Sequence, residues 1–93
     1  MKASVTVAYE AGDYVIEATY GGTNTPRYWN DPFLRKAIVE AVDKAGAEKD
    51  LFDYCNFIFA QVDNAIRRRY GGREVILDYI NVSLGYKSVT SYQ

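Results

Sequence analysis

Residues 50–72 read DLFDYCNFIFAQVDNAIRRRYGG, and this stretch has the pattern of a long amphipathic helix. Its apolar side chains recur at intervals of three and four residues, which at 100° per residue places them within an arc of about 160°. Asp50 is a suitable N-cap with Asp53 three residues on, and Gly71-Gly72 end the pattern. An apolar stripe this broad predicts a helix central to the core, built on Leu51, Phe52, Tyr54, Cys55, Ile58, Phe59, Val62, Ala65 and Ile66.

A shorter amphipathic pattern precedes this helix and runs from Asp31 to Gly46. Asp31 followed by Pro32 is a typical helix start, because the carboxylate can cap the helix and proline lacks an N–H that would be unpaired there anyway. The apolar positions of the segment fall within an arc of about 140°, so one face is predicted to be buried. They are Leu34, Ala37, Ile38, Ala41, Val42 and Ala45.

Residues 4–20 alternate between apolar and polar side chains with the period of a β-hairpin. We expect Tyr9 to pair with Tyr14, because a slip of one residue would bring Glu17 into the apolar row. The alternation permits a two-residue or a four-residue connection. The four-residue loop is favoured, with Gly12 in the left-handed conformation, since alanine resists positive φ.

A period of two returns over residues 74–86 and predicts a third strand. Asp78 interrupts its apolar row, so we expect a salt bridge to Arg73 or to an arginine of the second helix. Residues 87–93 are mostly polar and are predicted to be either a short strand or a frayed end.

These patterns predict a single compact domain, residues 1–93, of the α+β class. The predicted architecture is a three-stranded antiparallel sheet with two helices packed on one face, in the order ββααβ. The other face of the sheet would then carry Thr6, Glu17, Thr19, Tyr79, Asn81 and Ser83.

The composition argues against several functional classes. The 93 residues include no His and one Cys, and no phosphate loop, metal-ligand spacing or nucleophile motif is present, so we expect a non-enzymatic protein without cofactor or metal. A net charge of −1 gives no overall attraction to nucleic acid or to an anionic membrane. No apolar run approaches the roughly 18 residues of a membrane span. Cys55, unable to form an internal disulfide, is expected in the core, and a cytoplasmic setting is expected.

Basic residues are concentrated between positions 67 and 73, as Arg67, Arg68, Arg69 and Arg73. One interpretation is structural, because cations in the last turn of a helix complement its dipole. The other is a site for a phosphate backbone or for an acidic protein surface. Three successive arginines fan over about 200°, and Asp63 is spaced to pair with Arg67, so Arg68 and Arg73 are the two expected to meet a ligand.

Phe57 lies on the polar side of the second helix, in a stripe with Gln61, Asn64 and Arg68. An aromatic ring surrounded by hydrogen-bonding groups and an arginine has the composition of a hot spot in a protein interface. The alternatives are packing beneath the long loop and an exposed ring without a role.

The loop between the hairpin and the first helix contains Arg27, Tyr28 and Trp29. Trp29 and Leu34 have the spacing of a hydrophobic staple if Asn30 caps the helix. The alternative is a recognition loop displayed at the end of the hairpin.

The chain is short, rich in tyrosine with nine Tyr, and lacks a catalytic set, which favours a protein-binding module that occupies a partner's surface. A small inhibitor from a phage or mobile element, acting against host defence, has this profile. One alternative is a nucleic-acid-binding domain that uses the arginine cluster, with Tyr70, Tyr79 and Tyr86 as stacking groups. Another is a structural subunit or homodimer joined through an open sheet edge. The predicted partner-binding residues are Phe57, Gln61, Asn64, Arg68, Arg73, Arg27, Tyr28 and Trp29.

Overall fold

The computed structural model describes residues 4–22, 31–46 and 50–93. In these ranges the chain forms six elements, of which four are strands and two are helices. In chain order they are β1 (Val5–Ala11), β2 (Tyr14–Gly21), α1 (Asp31–Ala45), α2 (Leu51–Tyr70), β3 (Ile76–Leu84) and β4 (Lys87–Tyr92). The strands pair antiparallel in the sheet order β1-β2-β3-β4.

The predicted three-stranded sheet with the order ββααβ is wrong, because the described residues form a four-stranded sheet with the order ββααββ. The additional strand is β4, which pairs with β3 along its length after a turn in which Gly85 has φ 61°. Its sequence, KSVTSY, is mostly polar. An antiparallel edge strand with one face in water needs few apolar side chains, so the hydrophobic signal of β4 is weak.

The hairpin of β1 and β2 keeps the predicted faces but not the predicted register. Ala11 pairs with Tyr14, whereas the prediction paired Tyr9 with Tyr14. The connection is the two-residue turn of Gly12 and Asp13, and Gly12 has φ 60°. A tight hairpin turn with positive φ at its first central residue favours glycine there. Because the register differs by two residues, every side chain remains on its predicted face.

Asp78 interrupts the apolar pattern of β3 because it is the extra residue of a β-bulge. Thr19 pairs with Tyr79, but Tyr20 pairs with Leu77, so nothing on β2 lies opposite Asp78. The bulge shifts the alternation by one residue, which places Leu77 in the core and leaves Asp78 exposed. The interruption of the apolar row at Asp78 therefore reflects an irregularity of the strand and not a buried carboxylate.

The core lies between the sheet and one layer formed by both helices. Helix α2 packs against β3 and β4, and α1 packs against α2 and β1. Tyr14 of β2 stacks on Tyr54 of α2 with 4.3 Å between ring centroids. Burying each large apolar side chain contributes about 1.5–3 kcal/mol. The largest fully buried side chains include Tyr20, Ile16, Leu34, Ile38, Ile58, Ile66, Leu77 and Ile80.

Both ends of α2 are confirmed as predicted. Asp50 Oδ1 accepts a hydrogen bond from the backbone N–H of Asp53 at 2.8 Å. At the other end Gly71 has φ 66°, and its N–H donates to the carbonyl of Arg67 at 2.9 Å. The capping residues thus fix a helix of 20 residues, which packs against both β3 and β4.

Two phenylalanines of α2 differ from their predicted environments. Phe52, expected in the buried stripe, is 62% exposed. Phe57, expected on the polar side, is half-buried and packs against the core. Gln61, one turn further along the same stripe, lines a groove shared with α1. The buried arc of α2 is therefore wider on the Phe57 side than the apolar stripe of the sequence predicted.

A candidate binding groove between the helices

A groove of about 450 Å³ lies between α1 and α2, and its described lining residues all belong to these two helices. Its accessible apolar surface belongs to Phe33 of α1 and Ala65 of α2, which are half-buried. Ala37 and Ala41, one turn apart on α1, also line the groove but are only 6% and 1% exposed. Alanine at these positions lets the helices approach each other and leaves the space over them unfilled. An apolar side chain of a partner would meet apolar surface there.

Cationic side chains stand at both ends of the groove. Lys44 lies in the last turn of α1, whereas Arg68 and Arg69 lie in the last turn of α2. Consecutive helices joined by a short connection run in opposite directions, so these turns lie at opposite ends. Glu40 is the one acidic side chain among the described lining residues, and it pairs with Lys36 at 3.7 Å.

Arg69 is fixed at its end of the groove by aromatic contacts. Its guanidinium carbon lies 4.4 Å from the centre of the Phe33 ring and 5.6 Å from that of Tyr70. Phe33 and Tyr70 pack edge to face, with centroids 6.0 Å apart and an interplanar angle of 82°. A cation over an aromatic face is stabilised by the ring quadrupole, so this cluster forms an ordered wall.

Arg67 is engaged by the fold, in a ring of three side chains. Its Nε donates to Asp63 Oδ2 at 3.0 Å, and its Nη2 donates to Gln93 Oε1 at 2.8 Å. Gln93 Nε2 donates to Asp63 Oδ1 at 2.7 Å and to the carbonyl of Leu77 at 3.1 Å. The expected pairing of Asp63 with Arg67 is confirmed, and the ring fastens the end of β4 to α2.

The structure brings Gln61 and Arg68, two of the predicted partner-binding residues, into the groove. Asn64 is exposed on α2 beside them, and Phe57 is half-buried one turn before Gln61. Arg73 is exposed beyond the end of α2, outside the groove, where it has an interaction of its own.

Arg27, Tyr28 and Trp29 lie outside the described residues, so the staple and the recognition loop stay predictions. The α1 half of the groove was missed, notably Phe33 and Lys44. Its sequence signal is an aromatic residue followed at four-residue spacing by two alanines, since these share one helix face.

The residues of the nucleic-acid alternative do not share one surface. Tyr70 is buried, and Arg67 is held in the ring with Asp63. Tyr79 lies on the helix-free face of the sheet, across the core from the arginines of α2. Tyr79 is thus separated from those arginines by the thickness of the fold.

The open-edge alternative concerns β1 and β4, the two outer strands of the described sheet. Arg35 Nη1 donates to the carbonyl of Ala8 in β1 at 2.9 Å. The antiparallel ladder that starts at Ala11 and Tyr14 directs this carbonyl away from β2. A side chain of α1 therefore covers part of the β1 edge.

Cys55 is a core residue, as expected. Its Sγ donates to the carbonyls of Ile80 at 3.6 Å and Val89 at 3.5 Å, and Ser91 Oγ lies 3.3 Å from it. Burial raises the pKa of the Cys55 thiol, against a smaller opposing effect of hydrogen bonds from Ser91. The thiol is therefore protonated at neutral pH, which makes it a poor nucleophile.

Within the described ranges no three His, Cys, Asp or Glu side chains come together as a metal site requires. No helix in the same ranges is both long enough and apolar enough to cross a membrane. Comparison of the chain with protein-family models, curated proteins and solved structures gives no match.

Proposed function

We propose that the protein is a non-enzymatic binding module that holds an acidic segment of a partner protein in the groove between α1 and α2. The groove carries this proposal, because it combines the apolar surface of Phe33 and Ala65 with cations at its two ends. An amphipathic segment with an apolar anchor and flanking carboxylates is complementary to that arrangement.

Most of the affinity should come from the apolar anchor. Exposed ion pairs contribute about 0.2–1 kcal/mol each, so Lys44 and Arg68 would mainly set orientation and the preference for an acidic partner. A partner held in this way loses access to its other ligands, and for this reason we retain the inhibitor hypothesis within the proposal.

The test is a titration with a labelled helical peptide in which glutamates alternate with leucines at helical spacing. Arg68→Gln and Lys44→Gln should each weaken binding about threefold at low salt. Lys87→Gln is the control, since Lys87 is an exposed lysine of β4 outside the groove, and it should leave binding unchanged.

A second variant separates the apolar anchor from the charges. Ala65 is half-buried in the groove, so Ala65→Leu should fill the space without disturbing the core and should abolish peptide binding. Equal binding by the parent and by Ala65→Leu would contradict the groove as the site. Binding of a peptide with lysines in place of the glutamates would contradict the acidic partner.

A further inference from the structure

The helix-free face of the sheet has a charge character opposite to that of the groove. A shallow depression of about 470 Å³ lies on it, over two adjacent cross-strand rows. One row contains Thr6, Thr19, Tyr79 and Tyr92 in register, and in the next row Glu17 pairs with Asn81. Because the core separates this depression from the groove, a ligand bound here is independent of the function proposed for the groove.

Two tyrosine rings form one side of the depression. Tyr79 and Tyr92 lie directly opposite each other on β3 and β4, with ring centroids 5.6 Å apart and an interplanar angle of 44°. They are 37% and 70% exposed, respectively. No cation of the described residues lies over either ring, so aromatic surface faces solvent.

The charges on this face are negative. Glu17 is exposed beside the tyrosine row, Glu10 follows on β1, and Asp78 is exposed at the bulge. The alternation of the strands places no described lysine or arginine on the face. An anionic ligand such as a phosphate would meet the wrong charge there.

The carboxylate of Glu17 is exposed among polar side chains that bond to one another. Neighbouring polar groups satisfy one another: Thr6 Oγ1 and Thr19 Oγ1 are hydrogen-bonded at 2.9 Å, and Asn81 Nδ2 donates to Thr90 Oγ1 at 2.8 Å. Glu17 makes no ion pair or hydrogen bond with any of the described residues. Its carboxylate is thus available to a ligand.

We propose that this depression binds the guanidinium group of an arginine carried by a partner's peptide segment, with Tyr79 and Tyr92 as the stacking surface and Glu17 as the counter-ion. A guanidinium is planar, stacks on aromatic rings and donates paired hydrogen bonds to a carboxylate. Glu17 lies diagonal to Tyr79 on the neighbouring strand, a position at which the Cα atoms are about 7–8 Å apart. One guanidinium can therefore stack on the Tyr79 ring and reach the Glu17 carboxylate.

The probe is acetyl-Gly-Arg-Gly-amide, titrated into the uniformly ¹⁵N-labelled protein and followed by amide chemical shifts. We expect shifts at Glu17, Tyr79 and Tyr92, with a dissociation constant in the millimolar range. Glu17→Gln and Tyr92→Leu should each weaken binding at least threefold, and the exposure of both side chains means that the fold should be kept.

Glu10→Gln is the matched control, because Glu10 is on the same face but outside the depression. It should change the dissociation constant by less than about 1.5-fold. Arg68→Gln, in the groove, should have no effect. The proposal is overturned if acetyl-Gly-Gln-Gly-amide shifts the same signals equally, if Glu10→Gln weakens binding as much as Glu17→Gln, or if no signal of the depression moves.

Discussion

The ionisable side chains of the core should make folding sensitive to alkaline pH. Burial raises the pKa values of Tyr20, Tyr54 and Cys55, and neighbouring tyrosines add to the effect for the two phenols. The unfolded chain loses these protons at a lower pH than the folded one does, so beyond that pH the folded state binds more protons. The free energy of unfolding should therefore be unaffected by these groups below about pH 8, fall above about pH 8.5 as Cys55 contributes, and fall further above about pH 10.

Urea melts between pH 7 and pH 10.5 measure this dependence. The Cys55→Ala protein is the control: its free energy of unfolding should be lower overall because of the cavity, but it should lack the decline between pH 8 and pH 9.5. A parent protein whose stability stays level or rises over that interval would show that the thiol is not buried as described.

Phe57 and Phe52 form a natural pair for a stability test, being the same residue type on the same helix. Phe57 packs against the core with part of its ring in water, so Phe57→Ser should cost about 2 kcal/mol, roughly half the cost of losing a fully buried phenylalanine. Phe52 is 62% exposed, and Phe52→Ser should cost under about 0.5 kcal/mol. Denaturant titrations compare them, and equal losses would contradict the packing of Phe57.

At the scale of elements, local signals sufficed for the helices and failed for the sheet. The caps at Asp50 and Gly71 act within a few residues of the backbone groups they satisfy, so the sequence alone places the ends of α2. The hairpin register is not determined locally in this sense. The alternation of apolar and polar residues fixes which face each side chain occupies, but a register shifted by two residues keeps the same faces. The bulge at Asp78 is set by the strand opposite.

Two proline substitutions in β4 test its pairing with β3. The ladder that starts at Leu84 and Lys87 directs the N–H of Val89 to β3 and that of Ser88 outward. Val89→Pro removes a ladder hydrogen bond and packing, and should cost about 3 kcal/mol or more. Ser88→Pro removes no ladder bond and should cost under about 1 kcal/mol. Thermal melts of both proteins decide whether β4 pairs as described; similar losses would argue against this register.

For the whole molecule, the main feature is a separation of charge across the fold, with cations at the helix groove and carboxylates on the opposite sheet face. Half of the groove could be anticipated, since the positions of Gln61 and Arg68 on α2 follow from the helical period. On α1 the four-residue spacing of Phe33, Ala37 and Ala41 indicates a shared face, but the position of that face opposite α2 depends on how the two helices pack.

Nucleic acid provides a test of this separation. With a net charge of −1, the protein should retain duplex DNA only at low salt and only through the arginines of α2 and its end. Replacing Arg68 and Arg73 by Gln should then reduce the slope of log affinity against log salt by about two. Tyr79→Ala should change nothing in these gel shifts. Weaker retention by Tyr79→Ala would mean that nucleic acid uses the sheet face, contrary to the separation of Tyr79 from the arginines of α2.

The pairing of Gly21 with Ile76 joins positions separated by more than half of the chain, and it has a consequence for folding kinetics. The hairpins β1-β2 and β3-β4 are closed by tight turns and need no distant partner, so each is expected to form within about 1–10 microseconds. The pairing of β2 with β3, the central seam of the sheet, forms only when the intervening α1 and α2 bring the two hairpins together. This step carries the entropic cost of closing a long loop. We therefore expect closure of this central seam to limit the folding rate. Substitutions there should slow refolding, whereas substitutions in the outer strands should mainly accelerate unfolding.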